Sequence, residues 1–114
     1  MLPSPHRLRR AADFQRVVRR GRRASTDTLV VHALCEEGGR QPQVGFVVGR
    51  RVGNAVTRNR VRRRLRHLMR DRVGGLPGGM LVVARANTSA SSADFHRLGR
   101  DLDRCLAKVE EERR

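Results

Sequence analysis

Residues 44–75 read VGFVVGRRVGNAVTRNRVRRRLRHLMRDRVGG, and two periodicities meet inside them. In VGFVVG, 44–49, residues alternate. Val44, Phe46 and Val48 point to one side; Gly45, Val47 and Gly49 point to the other, as in a strand. The two glycines leave that second face bare, so other chain could approach its backbone closely. From a start between Asn54 and Thr57 the period lengthens. Val61, Leu65, Leu68 and Met69 fall at i, i+4, i+7 and i+8, the core-facing stripe of a helix running to about Val73. Asn54 and Thr57 are both suitable N-caps, and Gly74 and Gly75 are expected to end the helix. A strand feeding directly into a long amphipathic helix places the chain among mixed α and β folds.

The other side of that helix decides what it is for. At about 100° per residue, Asn59, Arg63, Arg66 and Arg70 lie opposite the apolar stripe. Arg60, Arg62 and Arg64 flank them, and Arg58 falls near the stripe's edge in the first turn. Arginines three and four apart repel by a few tenths of a kcal/mol per pair. A merely solvated helix is laced with acids, whereas here only Asp71, at the end, is acidic. Such a face calls for an external polyanion.

The whole chain agrees. It has 114 residues, room for one domain, and a formal charge of +15. The charge is segregated: eight Arg against one Asp in 1–23, and ten Arg against one Asp in 50–72. Residues 24–49 are slightly acidic, and residues 94–114 balance six bases with six acids. Charge serving only solubility would be spread more evenly. Arginine outnumbers lysine 25 to 1. Either the guanidinium's bidentate grip on phosphate or the codon usage of a GC-rich genome accounts for that choice. Counterion release would make binding steeply salt-dependent. A helix-turn-helix requires a preceding helix; here a strand precedes, which favours RNA over DNA.

Working outward, DFQRVVRRG (13–21) places Phe14, Val17 and Val18 on one helix face, with Gly21 as its C-cap. TLVVHALC (28–35) is a strand, a weaker one lies at 22–26, and EEGGRQPQ (36–43) reads as a hairpin loop. MLVVARA (80–86) is an unbroken apolar run, as in a buried central strand. The last helix carries Phe95, Leu98, Leu102, Leu106 and Val109 as its stripe, and Ser91 with Asp94 forms a capping-box pattern. The N-terminus lacks the apolar core of a secretory signal, and no apolar run reaches the roughly 20 residues of a membrane span. Cys35 and Cys105 are expected to be separate, buried and reduced thiols of a cytoplasmic protein. His6, His32, His67 and His96 are scattered. No metal-ligand spacing, phosphate loop or nucleophile motif accompanies them, so no residue set is expected to catalyse a reaction unaided.

The stretch 45–70, GFVVGRRVGNAVTRNRVRRRLRHLMR, closely resembles the bacterial ribonuclease P protein component family. Its hallmark is an Arg-Asn-Arg helix after a basic-basic-Val-Gly-Asn-Ala-Val loop: here Arg50, Arg51, Val52, Gly53, Asn54, Ala55 and Val56, then Arg58, Asn59 and Arg60. The resemblance extends over roughly 8–109. It implies an α+β fold, a single-domain α/β sandwich over 1–114. About four strands form a mixed sheet with three helices in the order α-β-β-β-α-β-α, with a left-handed crossover at the arginine helix. A flexible basic arm is expected at 1–7 and a frayed end at 110–114.

The family's function is also implied: a protein subunit that assists a catalytic RNA, working with Mg²⁺, in removing the 5′ leader of precursor tRNA. By the resemblance, Arg50, Arg51, Asn54, Arg58, Asn59, Arg60, Arg62, Arg63 and Arg66 face the RNA subunit. A cleft of Phe14, Arg16, Val18, His32, Val48 and Arg85 holds the leader, and no protein side chains bind metal. The family usually offers aromatics where Val18 and His32 stand. With three Phe and no Tyr or Trp, and with Phe46 and Phe95 expected in the core, stacking in that cleft should be thin. The partners are then the RNA subunit and precursor tRNA, without membrane or DNA. The alternative is a non-catalytic RNA-binding protein of ribosomal type.

Overall fold

The computed structural model describes residues 6–38 and 41–113, apart from the side chains of residues 112 and 113. Its elements are α1 (Ala11–Arg20), β1 (Arg22–Ser25), β2 (Leu29–Cys35), β3 (Gln43–Val47), α2 (Ala55–Arg70), β4 (Met80–Ala86) and α3 (Phe95–Arg113). Three short 3-10 turns, Arg50–Val52, Val73–Gly75 and Thr88–Ser91, link them. The order α-β-β-β-α-β-α is the one the resemblance implies. Of the expected basic arm, residues 1–5 lie outside the described residues. Arg7 forms an isolated parallel bridge with Val44, and the Leu8 N–H donates to the Val44 carbonyl at 2.9 Å. Of the expected frayed end, residue 114 lies outside them, and α3 continues to Arg113. No described helix is long and apolar enough to cross a membrane.

The sheet runs β1-β2-β4-β3. β1–β2 and β2–β4 are antiparallel, and β3–β4 is parallel. The apolar run of β4 is central and buried from Met80 through Ala84, as its composition predicts. The expectation of a β2–β3 hairpin is corrected: β4 lies between those strands. Glycine and proline in 36–43 mark a reversal of the chain but carry no information about its neighbour. The strand with both faces apolar loses most by sitting at an edge, so it takes the middle.

Alternation then sorts the side chains into two layers. On one face Val31, Ala33, Val44, Val82 and Ala84 pack with Val61, Leu65, Leu68 and Met69 of α2 and Leu98, Leu102 and Leu106 of α3. On the other face α1 lies alone. Buried Val17 and half-buried Phe14 and Val18 pack with Leu81, Val83, Leu34 and Val47. One helix cannot cover four strands. It crosses from β3, where Phe14 meets Gly45, to β2, where Gly21 lies against the Ala33 carbonyl. His32 and Arg85 lie on this same face, His32 buried and Arg85 exposed.

Three end signals are corrected. Gly21 ends α1 in extended rather than left-handed backbone. α2 stops at Arg70 with Asp71 as its cap, and Gly74 and Gly75 belong to a separate 3-10 turn. Asp94, not Ser91, caps α3: its Oδ1 accepts the Arg97 N–H at 2.7 Å, while the Ser91 hydroxyl donates to the Thr88 carbonyl.

Candidate nucleic-acid interface

The loop before α2 is held from beneath. Val52 is buried in the core while Arg50 and Arg51 beside it are exposed. Gly53 has a φ of 155°, a conformation side chains rarely adopt, and it lets the loop turn into the helix. The Asn54 Oδ1 then accepts the Thr57 N–H at 2.9 Å and caps α2. No acid occupies the first turn, so the positive end of the helix dipole and two guanidiniums face outward together.

Along α2 the arginines divide by what they touch. Arg60 Nη2 donates to the Ser91 carbonyl and Arg64 Nη1 to the Ala93 carbonyl, each at 3.1 Å. These two clamp the turn that precedes α3. For Arg60 this modifies the expectation: part of its guanidinium serves the fold. Arg58, three residues before buried Val61, is half-buried, and its Nε is enclosed without a hydrogen-bond partner among the described residues. Asn59, Arg63 and Arg66 are exposed, and Arg62 Nη1 donates to the Asn59 Oδ1 at 3.2 Å. Among the described residues no arginine from 58 to 66 forms an ion pair. A depression of about 380 Å³ is lined by Asn59, Arg62, Arg63, Arg66 and His67, with no carboxylate. Burial, then the guanidiniums of Arg62 and Arg7, pushes the Arg66 pKa down. Cations crowded this way are relieved by a bound anion.

A second groove of about 340 Å³ passes around the β3 edge from Phe14 and Gly45 to Arg62 and Arg66, alongside Arg7 and Arg9. It joins the α1 face to the arginine helix. Gly45 is essential to its shape, because a Cβ there would stand 2.2 Å from the Phe14 ring. A larger groove of about 1120 Å³ near Arg10 and Arg16 also contains Asp13, Glu36 and Glu37, and so largely neutralises itself.

Four of the six expected cleft residues share the α1 face: Phe14, Val18, His32 and Arg85. The other two are placed differently. Val48 is buried in the opposite core with Val44 and Val52. Its parity with Val44 in the alternating strand already excluded it from the Gly45 face. Arg16 is tied to Asp13 at 3.2 Å and Glu36 at 3.0 Å, over the self-neutralised groove. His32 is buried, and its Nδ1 lacks a partner among the described residues. Burial, then Arg85 and Arg23, lowers its pKa and keeps the ring neutral. Arg23 stands directly opposite His32 across the β1–β2 ladder, a neighbour that the sequence reading did not include. Its place in an alternating strand beside His32 was the available signal.

Phe95 also departs from expectation. It is 41% exposed, and its ring meets His67 edge-on, whereas Phe46 packs partly buried against the core. Neither cysteine is in a disulfide; Cys105 is buried, which raises its pKa, whereas Cys35, at the end of β2, is only partly buried, a correction to the expectation. Among the described residues no three His, Cys, Asp or Glu side chains are grouped to hold a metal ion.

A compact α/β domain presenting an acid-free arginine helix belongs to the RNA-binding class. Comparison with known proteins specifies the family. The Ribonuclease P family model matches residues 2–110. The ribonuclease P protein component of Nocardioides sp. is 53% identical over 111 residues, covering 96% of this chain and 95% of that protein. The component of Streptomyces avermitilis is 50% identical over 119 residues, covering 96% and 95%. Among solved structures, the RNase P protein of Staphylococcus aureus superposes with a TM-score of 0.82 at 24% identity, covering 91% of this chain and 96% of that one. That of Thermotoga maritima superposes at 0.76 with 26% identity, covering 92% and 96%. The chain belongs to the ribonuclease P protein component family. It is thus the protein part of an endoribonuclease ribonucleoprotein that processes the 5′ leader of tRNA with an RNA subunit.

Proposed function

We propose that α2 and its leading loop dock the chain on the catalytic RNA subunit, and that the open α1 face holds the leader of precursor tRNA. The observation that carries this reading is the acid-free outer face of α2. Arg63 and Arg66 are exposed without an ion pair, and Arg50 and Arg51 stand at the helix start. Asn54, Arg58, Asn59, Arg60 and Arg62 complete the RNA-facing set, with Arg60 contributing what its Ser91 contact leaves free. RNA neutralises the repulsion the protein leaves unopposed, and its condensed counterions are released.

On the other face, Phe14, Val18, His32 and Arg85, joined by Arg23, form a shallow site for single-stranded RNA. Backbone charge and apolar contact dominate there, with Phe14 as the stacking ring. The groove around β3 connects the two surfaces, so one chain can hold the catalytic RNA and the leader together. Among the described residues no three His, Cys, Asp or Glu side chains are grouped to hold a metal ion, and Asp13 and Glu36 are engaged with Arg16. In this reading Mg²⁺ would be held by the RNA, where it would supply activation of water for phosphodiester hydrolysis. Protein guanidiniums stabilise the folded RNA by lowering phosphate repulsion, and thereby reduce the Mg²⁺ it needs. The compartment proposed is the cytoplasm, with RNA rather than DNA or membrane as partner.

The test is reconstitution at limiting Mg²⁺. The chain alone should leave precursor tRNA intact, and added to the cognate RNA subunit it should raise cleavage markedly. No stimulation under those conditions refutes the proposal.

A further inference from the structure

The chain has three aromatic residues of the Phe, Tyr and Trp type, all Phe, and one of them is spent on the surface. Phe95 is 41% exposed; with Val56 it is one of two exposed large hydrophobics among the described residues. Its ring lies 5.7 Å from that of His67, at an interplanar angle of 62°. His67 in turn lines the depression formed with Asn59, Arg62, Arg63 and Arg66. An aromatic edge-to-face pair therefore borders a basic depression whose lining includes no carboxylate.

The pair is also held in place. Asp94 caps α3 immediately before Phe95, and Arg64 and Arg60 fix the preceding backbone at Ala93 and Ser91. A contact serving only to pack α2 against α3 would gain from burying the ring, and leucine would fill that role with the better helix propensity. An exposed, fixed aromatic ring beside guanidiniums is the combination by which single-stranded nucleic acid is held: stacking for the base and charge for the backbone. One ring amid this charge is too small an apolar patch for a protein or membrane partner.

We propose that the His67–Phe95 pair is a stacking platform for one unpaired nucleobase of the RNA whose phosphates occupy the outer face of α2. This rests on the reading of α2 as the RNA-subunit interface, and it adds recognition of a bulged or looped nucleotide to what was phosphate contact alone.

The chain lacks Trp and Tyr, so F95W introduces a lone indole at the platform. Titrated with the cognate RNA subunit, F95W should show a saturable fall in indole emission and lose access to iodide. Separately, F95L should bind that RNA about ten-fold more weakly than the parent, with an unchanged slope of log Kd against log[salt], because no phosphate contact is lost. F95Y should retain parental affinity. Binding with unchanged indole emission, or F95L binding as tightly as the parent, overturns the platform. If F95L also lowers Tm, the F95W emission decides. Failure of the underlying interface is read separately: R63A would then leave the salt slope unaltered.

Discussion

Arg63 and Arg64 are neighbours in sequence, and the structure gives them opposite duties, which single substitutions can separate. Arg64 Nη1 donates to the Ala93 carbonyl at 3.1 Å in a half-buried setting. A hydrogen bond from a charged donor contributes about 1.5–3 kcal/mol, and partial exposure puts this one near about 1.5 kcal/mol. Unfolding entropy is about 2.1 cal/mol/K per residue, hence about 0.24 kcal/mol/K for 114 residues. R64A should therefore lower Tm by about 6 °C, less about 1 °C for relieved repulsion between arginines. Arg63 is exposed and forms no ion pair among the described residues. R63A removes repulsion and installs the best helix former, so its Tm should hold or rise slightly. Its effect should appear in RNA binding: losing one phosphate contact reduces the salt slope by about 0.9. Between about 50 and 200 mM salt, the affinity deficit of R63A relative to the parent should then shrink about 3.5-fold. Thermal melts and salt-series binding to the RNA subunit provide both readouts. If R63A destabilises the fold as much as R64A, or if R64A alone flattens the slope at parental Tm, this division of labour is wrong.

The remaining predictions concern the sheet. G45A places a methyl carbon 2.2 Å from the Phe14 ring. The ring must leave its seat, at a cost of about 1–3 kcal/mol, and the preference for precursor over mature tRNA should fall. Unchanged stability and preference would put Phe14 outside the leader path. For His32, the unfolded chain takes up a proton near the ordinary value of 6.5, while the folded chain resists to lower pH because of burial, then Arg85 and Arg23. The unfolded state thus binds more protons in that window, and stability should fall as pH drops below about 6.5. H32L should flatten the acid-side decline in denaturation midpoint; equal declines in the two chains would show that His32 does not titrate as the structure implies.

The periodic features were legible before any coordinates. A 3.6-residue stripe committed Val61, Leu65, Leu68 and Met69 to the core, and the apolar run from Met80 to Ala84 put β4 at the centre. Both are local patterns whose meaning is set by water. Strand adjacency was not legible, because residues 36–43 announce a turn and nothing in them records that β4, over 30 residues later, fills the gap. Phe95 was misread for a related reason. It continues the Leu98–Leu102 spacing, but with Asp94 as the cap it stands at the first helical position, where the core no longer reaches.

The arginine helix shows where sequence reading stops. How many guanidiniums it carries, and that no acid balances them, can be counted from the chain. Which of them bind RNA depends on acceptors that have no residue signature. The partners of Arg60 and Arg64 are backbone carbonyls 31 and 29 residues away, and a carbonyl is present at every position. Only the fold distinguishes Ser91 and Ala93 as the two that lie within reach. The proposed interface is therefore narrower than the charge count implies: Arg63 and Arg66 are exposed, while Arg64 and part of Arg60 hold the turn that keeps Phe95 beside them.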